Sequence, residues 1–325
     1  MGQAAPLRER GVRGAGVGVA PGSAAARTLG PLPSEPQHFR RVVVGAGGSA
    51  RAEDALALAE RLVARDGGRL ILAAVEVHHS FRLRHHGARA AAEGLAAARA
   101  RVTAETPVEE VTRAAASVPR GLTEIAEEMR ADLVVVGSSE PVAEGRVSPG
   151  RTGLRLLQGA PCAVAVAPAG ATGEGPFRHV AIAYDGSPEA SAALAAGYAV
   201  ATRDAAAVSL FWVSPGAGIA WDENVESAVR AERLHAHERL DAAADAAPAG
   251  VNPRTVVLRG DPGPVIASAC DGIADVLFAG SRGYGPMHRA LAGSVSEALL
   301  LMATQPVVIT PRRAQLAPGE TAELH

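Results

Sequence analysis

Two short glycine–serine segments and one aspartate carry the chemistry that this sequence offers. Gly280-Ser281-Arg282-Gly283 closes an apolar run, and ten positions beyond Gly283 stands Gly293-Ser294-Val295-Ser296, at the head of another. Glycines permit positive φ and let backbone N–H groups approach an anion closely. A glycine leading into a helix adds the free N–H groups of the first turn, and here Ser294 and Ser296 bring two hydroxyls. Asp185, just after the run HVAIAY at 179–184, is an acceptor suited to ribose hydroxyls or an adenine edge. Taken singly, Gly280 and Gly283 are equally well a turn at a strand end, and Ser294 an ordinary helix cap. Their joint spacing, with Asp185 at another strand end, favours a phosphate cradle.

Little else in the chain points to reactivity. No Ser–His–Asp set, carboxylate pair or GxxxxGK[ST] loop occurs, and all 32 basic residues are Arg. Without Lys to grip phosphates or a group to activate water, hydrolysis of a bound triphosphate is expected to be slow at most, so the chain is not read as an enzyme. His78, His79, His85 and His86 sit in EVHHSFRLRHHGAR (76–89) with no Cys or carboxylate cluster beside them, and the segment reads as a solvated loop. His235 and His237 are two apart in a helical pattern and do not share a face. Trp221 reads as local packing. Cys162 and Cys270 form no CxxC pair and read as reduced, buried thiols.

The balance of 32 basic against 34 acidic residues leaves a net charge of −2 and no electrostatic footprint for nucleic acid. No apolar stretch approaches the roughly 18 residues needed to span a membrane, so a cytoplasmic location is expected. Residues 1–39 are Gly, Ala, Pro and Arg without apolar periodicity, a composition expected to stay disordered, as is 314–325.

Between those tails the chain repeats itself. RVVVGAGGSARAEDAL (41–56) aligns without gaps on HVAIAYDGSPEASAAL (179–194), an offset of 138. ADLVVVGSS (131–139) aligns on ADVLFAGSR (274–282), and Val164–Pro168 on Val307–Pro311, both at an offset of 143. Two domains follow, 40–170 and 176–313. In the second copy strands are expected at 179–184, 207–213, 254–260, 275–280 and 306–310, with helices at 226–247 and 264–273. A further helix opens at an N-cap Ser187, followed by Pro188 and Glu189. In the first copy EEVTR (109–113) reads as strand three with a solvated face. Continuous apolar strands argue for parallel sheets buried on both faces, and right-handed crossovers then make each copy a doubly wound α/β layer of five strands. Ligands of such sheets bind outside the carboxyl ends of strands, here those of strands one and four.

At these residues the sequence resembles the universal stress protein family in tandem form. The family's nucleotide signature is Gly, two residues, Gly, nine residues, then Gly followed by Ser or Thr, and it stands here as Gly280, Gly283, Gly293 and Ser294. YDGS (184–187), GDP (260–262) and TQPVVITP (304–311) are family-like as well, and the resemblance covers about 41–312. It implies two Rossmann-like, adenine nucleotide alpha hydrolase-like domains and a bound ATP or other adenine nucleotide. Adenine would sit against Ala183 and Val213, with Asp185 near the ribose. Backbone amides of Gly283 and Ser294 and the hydroxyls of Ser294 and Ser296 would hold the phosphates, with Ala279, Gly280, Arg282, Gly293 and Val295 lining the same mouth. Mg would be the ion bridging the phosphates, although no carboxylate at the motif is an obvious ligand.

The first copy departs from this pattern. Asp185 becomes Gly47, Gly283 becomes Glu140 and Ser294 becomes Arg151, while Gly137 and Gly150 keep their glycines. A carboxylate facing a polyphosphate costs on the order of 1 kcal/mol or more. One working site per chain is therefore expected, in the second domain. The leading reading is a nucleotide-sensing regulator built as an intramolecular pseudo-dimer, with fifth strands near a pseudo-twofold axis and a homodimer and an unidentified regulatory protein as further partners. The alternatives are a weak ATPase or adenylate-using enzyme, and an interaction module that binds no nucleotide.

Overall fold

The computed structural model describes residues 32, 37–47, 50–77, 84–102, 106–139, 141–171, 175–214, 223–281 and 294–311. Its first half runs β1 (Arg41–Gly45), α1 (Ala50–Leu62), β2 (Arg69–Val77), α2 (Arg84–Arg101), β3 (Val108–Ala115), α3 (Val118–Glu128), β4 (Leu133–Gly137), α4 (Gly150–Gly159) and β5 (Ala163–Ala167). The second half repeats the order: β6 (His179–Ala183), α5 (Pro188–Asp204), β7 (Ala207–Ser214), α6 (Glu223–Asp245), β8 (Pro253–Arg259), α7 (Pro262–Cys270), β9 (Val276–Gly280), α8 (Ser294–Met302) and β10 (Val307–Thr310). Each strand expected in the second copy is present, displaced by a residue or two at its ends.

The local signals act as the chemistry requires. Ser187 has extended backbone (φ −71°, ψ 158°), and its hydroxyl accepts the Ala190 amide at 3.2 Å, so α5 starts where Pro188 can take the first helical position. The central strands β4, β5 and β10 are buried along most or all of their length, as all-apolar runs demand. β3 and β8 lie at the two edges of the sheet and are only partly covered. The histidine-rich segment 76–89 differs from the expected loop: β2 continues to Val77 and α2 begins at Arg84, which puts His85 and His86 in a helical first turn. His78, His79 and Trp221 lie outside the described residues. His235 and His237 are exposed on α6, and the His235 ring meets the buried Trp212 edge-on at 6.0 Å.

The two five-stranded layers are not separate. One ten-stranded sheet runs in the order β3-β2-β1-β4-β5-β10-β9-β6-β7-β8. Every pairing in it is parallel except that of β5 with β10, where Val166, Ala165 and Val164 face Val307, Val308 and Ile309 in antiparallel register. The hydrophobic core accordingly divides by sheet face and not by half. One cluster gathers Leu58 and Leu72 with Tyr198 and Leu210, and the other gathers Ile71 and Leu156 with Leu277 and Leu299. Cys162 and Cys270 are buried on the second face, and burial, joined for Cys162 by the Asp132 carboxylate, pushes both thiols up to about 12.

The repeat also places two structural acids at equivalent points. Asp132 accepts the amides of Arg40 and Arg41 at the start of β1, and Asp275 accepts those of Arg178 and His179 at the start of β6. Away from the sheet, the halves are clamped by Arg203 and Asp204 at the end of α5. The Arg203 guanidinium donates to the carbonyls of Arg61, Leu62 (3.2 Å) and Val63 (2.9 Å), the open end of α1. Asp204 accepts from Arg203 at 2.7 Å, from the Phe177 amide at 3.0 Å and from Arg65 at 3.1 Å, with its side chain fully buried. Burial pushes the Asp204 carboxyl up. The hydrogen bonds from Arg203 and Phe177 and the charges of Arg203 and Arg65 outweigh that and hold it below its ordinary 3.8.

Because the folded carboxyl titrates below the unfolded one, its stabilisation is present above the unfolded value of about 3.9 and is lost as pH falls through the folded value. Asp204→Asn is expected to lower the unfolding free energy by about 2–3 kcal/mol at neutral pH. The difference from the parent chain should shrink below about pH 4, as read by urea unfolding at a series of pH values.

Candidate functional site

The carboxyl ends of β6, β7 and β9 carry those expected binding residues of the strands that the structure describes. Ala183 pairs with Phe211 on one side and with Ala279 on the other, and Gly280 pairs with Thr310 of β10. Ala183, Val213, Ala279 and Val295 belong to the sheet face that carries α7 and α8. Ala183 and Val213 are partly exposed at the strand ends and so can meet a ligand. Ala279 differs from expectation: only 2% exposed, it lies in the core beneath the site and does not line the mouth.

Asp185 sits in the turn between β6 and α5. Its Oδ1 accepts the Ser187 amide at 2.9 Å, and Gly186 takes φ +77°, a conformation that L side chains rarely adopt. One carboxylate oxygen is thus committed to shaping the turn in addition to any ribose contact. Gly280 also has a packing role. A β-carbon there would lie 2.5 Å from the Ala190 nitrogen and 2.6 Å from the Glu189 carbonyl carbon, so the glycine lets the first turn of α5 press on the end of β9. Ser296 is 1% exposed, and its hydroxyl donates to the Gly280 carbonyl at 3.2 Å, tying α8 to β9. That bond takes up the hydroxyl proton expected to reach phosphate. Arg282, Gly283, Gly293 and the Ser294 side chain lie outside the described residues, although Ser294 opens α8.

The matching region of the first half is described more fully. Gly47 is exposed and offers no acceptor, Arg151 is exposed at the start of α4, and Glu140 lies outside the described residues. The loop after β4 closes on itself through serines that motif reasoning passed over. Ser138 Oγ donates to the Ala167 carbonyl at 2.7 Å and accepts the Ser148 amide at 2.9 Å. Ser139 and Ser148 join through their hydroxyls at 3.1 Å and through a backbone bond of 2.8 Å. Gly150 has φ +53°, and a β-carbon on it would strike the Ser139 side chain at 2.3 Å. The cue lay in the run GSSEPVAEGRVSPG, whose serines bracket a loop between two retained glycines.

Among the described residues no cluster of three or more His, Cys, Asp or Glu groups could hold a metal. No helix of the described residues is long and apolar enough to cross a membrane.

The order and pairing define a tandem of Rossmann-like α/β units whose fourth and first strands end side by side. The model of the universal stress protein family matches residues 38–168 and again 176–311, and the chain belongs to that family as a two-domain member. Among solved structures, a universal stress protein from Archaeoglobus fulgidus DSM 4304 is 17% identical, with 85% of this chain and 98% of that chain covered and a TM-score of 0.57. A protein of unknown function from Pseudomonas aeruginosa PAO1 is 15% identical over 85% of this chain and 93% of that chain, with a TM-score of 0.59. These likenesses speak to the fold. A shorter Archaeoglobus fulgidus universal stress protein, solved in complex with dAMP, is 22% identical over 41% of this chain and 98% of its own, with a TM-score of 0.33. Comparison with curated proteins finds no match to the chain.

In the first half a β-carbon on Gly137 would lie 2.0 Å from the Arg51 carbonyl oxygen, the same helix-on-strand approach that Gly280 allows. Gly137→Ala and Gly280→Ala are each expected to cost about 1–3 kcal/mol through forced separation of helix and strand. Chemical denaturation of both variants checks this.

Proposed function

We propose that the chain is a nucleotide-sensing regulator of the stress response, binding ATP or another adenine nucleotide at one site per chain, in its second half. The observation that carries this reading is the asymmetry of two otherwise equivalent strand ends. In the second half, Gly280, Gly283, Gly293 and Ser294 keep the spacing of a phosphate cradle beside Asp185. In the first, Gly47 and Arg151 stand in place of Asp185 and Ser294, and Ser138, Ser139 and Ser148 use their hydroxyls on one another and on the backbone.

In this reading Ala183 and Val213 would hold the adenine, Asp185 would accept from the ribose, and the amides of Gly283 and Ser294 would hold the phosphates, whose charge a bound Mg would help to neutralise. Arg282 supplies the local positive charge. No residue is assigned to activate water, so the nucleotide acts by occupancy and not by turnover. Occupancy can shift the shape or pairing of the molecule only by its differential affinity for the two states.

Isothermal titration of purified chain with ATP is expected to give one site. Asp185→Asn, which keeps an acceptor for the Ser187 amide while removing the charge, should weaken binding about tenfold. Two equivalent sites would overturn the one-site reading. Phosphate release above background that Gly293→Asp abolishes would favour an enzyme. Absence of any adenine nucleotide, both in titration and on denaturing freshly purified protein, would favour an interaction module.

A further inference from the structure

Thr310 is the last residue of β10, 2% exposed, and had no role in the reading of the motif. Its hydroxyl donates to the Glu189 carbonyl at 2.7 Å and lies 3.4 Å from the Ala279 carbonyl. Its own carbonyl accepts the Ser281 amide at 2.9 Å, and it pairs in register with Gly280. One buried residue therefore touches the end of β9, the first residues of the loop that follows, and the first turn of α5. That turn is the one capped by Ser187, two residues after Asp185.

The first half shows what the same corner looks like without the hydroxyl. Thr310 corresponds to Ala167, and Glu189 to Arg51. There the carbonyl of Arg51 is directed at Gly137, with its oxygen only 2.0 Å from where a β-carbon would stand. In the second half the atoms nearest the equivalent point on Gly280 are the Ala190 nitrogen and the Glu189 carbonyl carbon. The Glu189 carbonyl oxygen is held by Thr310 instead. The helix seats differently on its strand in the two halves, and the half with the hydroxyl is the half that keeps the glycine–serine motif and Asp185.

We propose that Thr310 is a positioning residue for the nucleotide site: its hydroxyl fixes the Asp185–Ser187 turn relative to the Gly280–Ser281 root of the phosphate loop. This rests on the reading of the second half as an adenine-nucleotide site. Thr310 touches no ligand in this role; it sets the distance between the groups that bind ribose and those that bind phosphate. Being buried, the bond has no water to replace it when the hydroxyl is removed.

The test is titration of the full chain with ATP, alongside thermal unfolding without nucleotide, for the parent and for Thr310→Val, Thr310→Ala and Thr310→Ser. Thr310→Ala carries the residue that the first half accommodates at this place, and so keeps the test open if the valine variant fails to fold. The expected result is a Kd raised roughly five- to tenfold in the Val and Ala variants, the effect of one net hydrogen bond, with Thr310→Ser within about twofold of the parent. A fall in Tm with an unchanged Kd makes Thr310 merely structural and overturns the inference, as does a serine variant as weak as the alanine one. A parent chain that binds no ATP overturns the functional reading itself, an outcome distinct from a parent that binds and a valine variant that binds equally well.

Discussion

The antiparallel pairing of β5 with β10 is the contact on which the rest of this molecule depends. Each half on its own is a parallel layer whose fifth strand would be an edge, and an all-apolar edge strand such as Ala163–Ala167 is a liability in water. Pairing Val164, Ala165 and Val166 with Ile309, Val308 and Val307 removes both edges at once. It also extends each sheet face across the whole chain, which is why the two hydrophobic clusters follow the faces and each draws side chains from both halves. The edges that remain are β3 and β8, and both carry charged residues, Glu109, Glu110 and Arg113 on one and Arg254 and Arg259 on the other.

Much of this was legible in the residues. The internal repeat located both units, and continuous runs such as VLFAG and LVVVG mark strands buried on both faces. Ser187-Pro188-Glu189 marked a helix start because capping is a local interaction, written in three adjacent residues. The fusion of the two layers into one sheet is of a different kind. It joins strands far apart in the chain, and nothing local in AVAVA or VVIT states which edge will meet which; only the tandem arrangement pointed to the fifth strands. The histidine segment misled for a related reason: its polarity suggested a loop, while the alanine-rich stretch after it carries the helix back to Arg84.

The site was legible by halves. Its described residues Ala183, Asp185, Val213 and Gly280 lie at or just after strand ends, where the doubly wound pattern places ligands. Their individual duties were harder to read, because a glycine that lets a backbone approach phosphate and one that lets a helix approach a strand look alike in sequence. Gly137 and Gly280 both do the second, whatever else Gly280 does, so their presence cannot tell a working cradle from an abandoned one. The discriminating positions are those that differ between the halves: Asp185 against Gly47, Glu189 against Arg51, Thr310 against Ala167. Thr310 entered the sequence reading only within the family-like run TQPVVITP, with no role of its own, because its partner Glu189 stands 121 residues away.

The same asymmetry appears at the opposite end of α5. Arg65 and Asp66 of the first half align with Arg203 and Asp204 of the second. Only the second pair closes the clamp, with Arg203 on the carbonyls that end α1 and Asp204 buried beneath it. Arg65 is largely exposed and serves as a donor to the other pair's carboxylate. The helix that begins at the Asp185 turn is thus the helix that ends by gripping the first half. A 17-residue helix spans about 25 Å, enough to join the two contacts. One end of α5 therefore meets the end of β9 at the Asp185 turn and the other holds α1 of the first half, so the halves are joined through this helix as well as through the β5–β10 pairing.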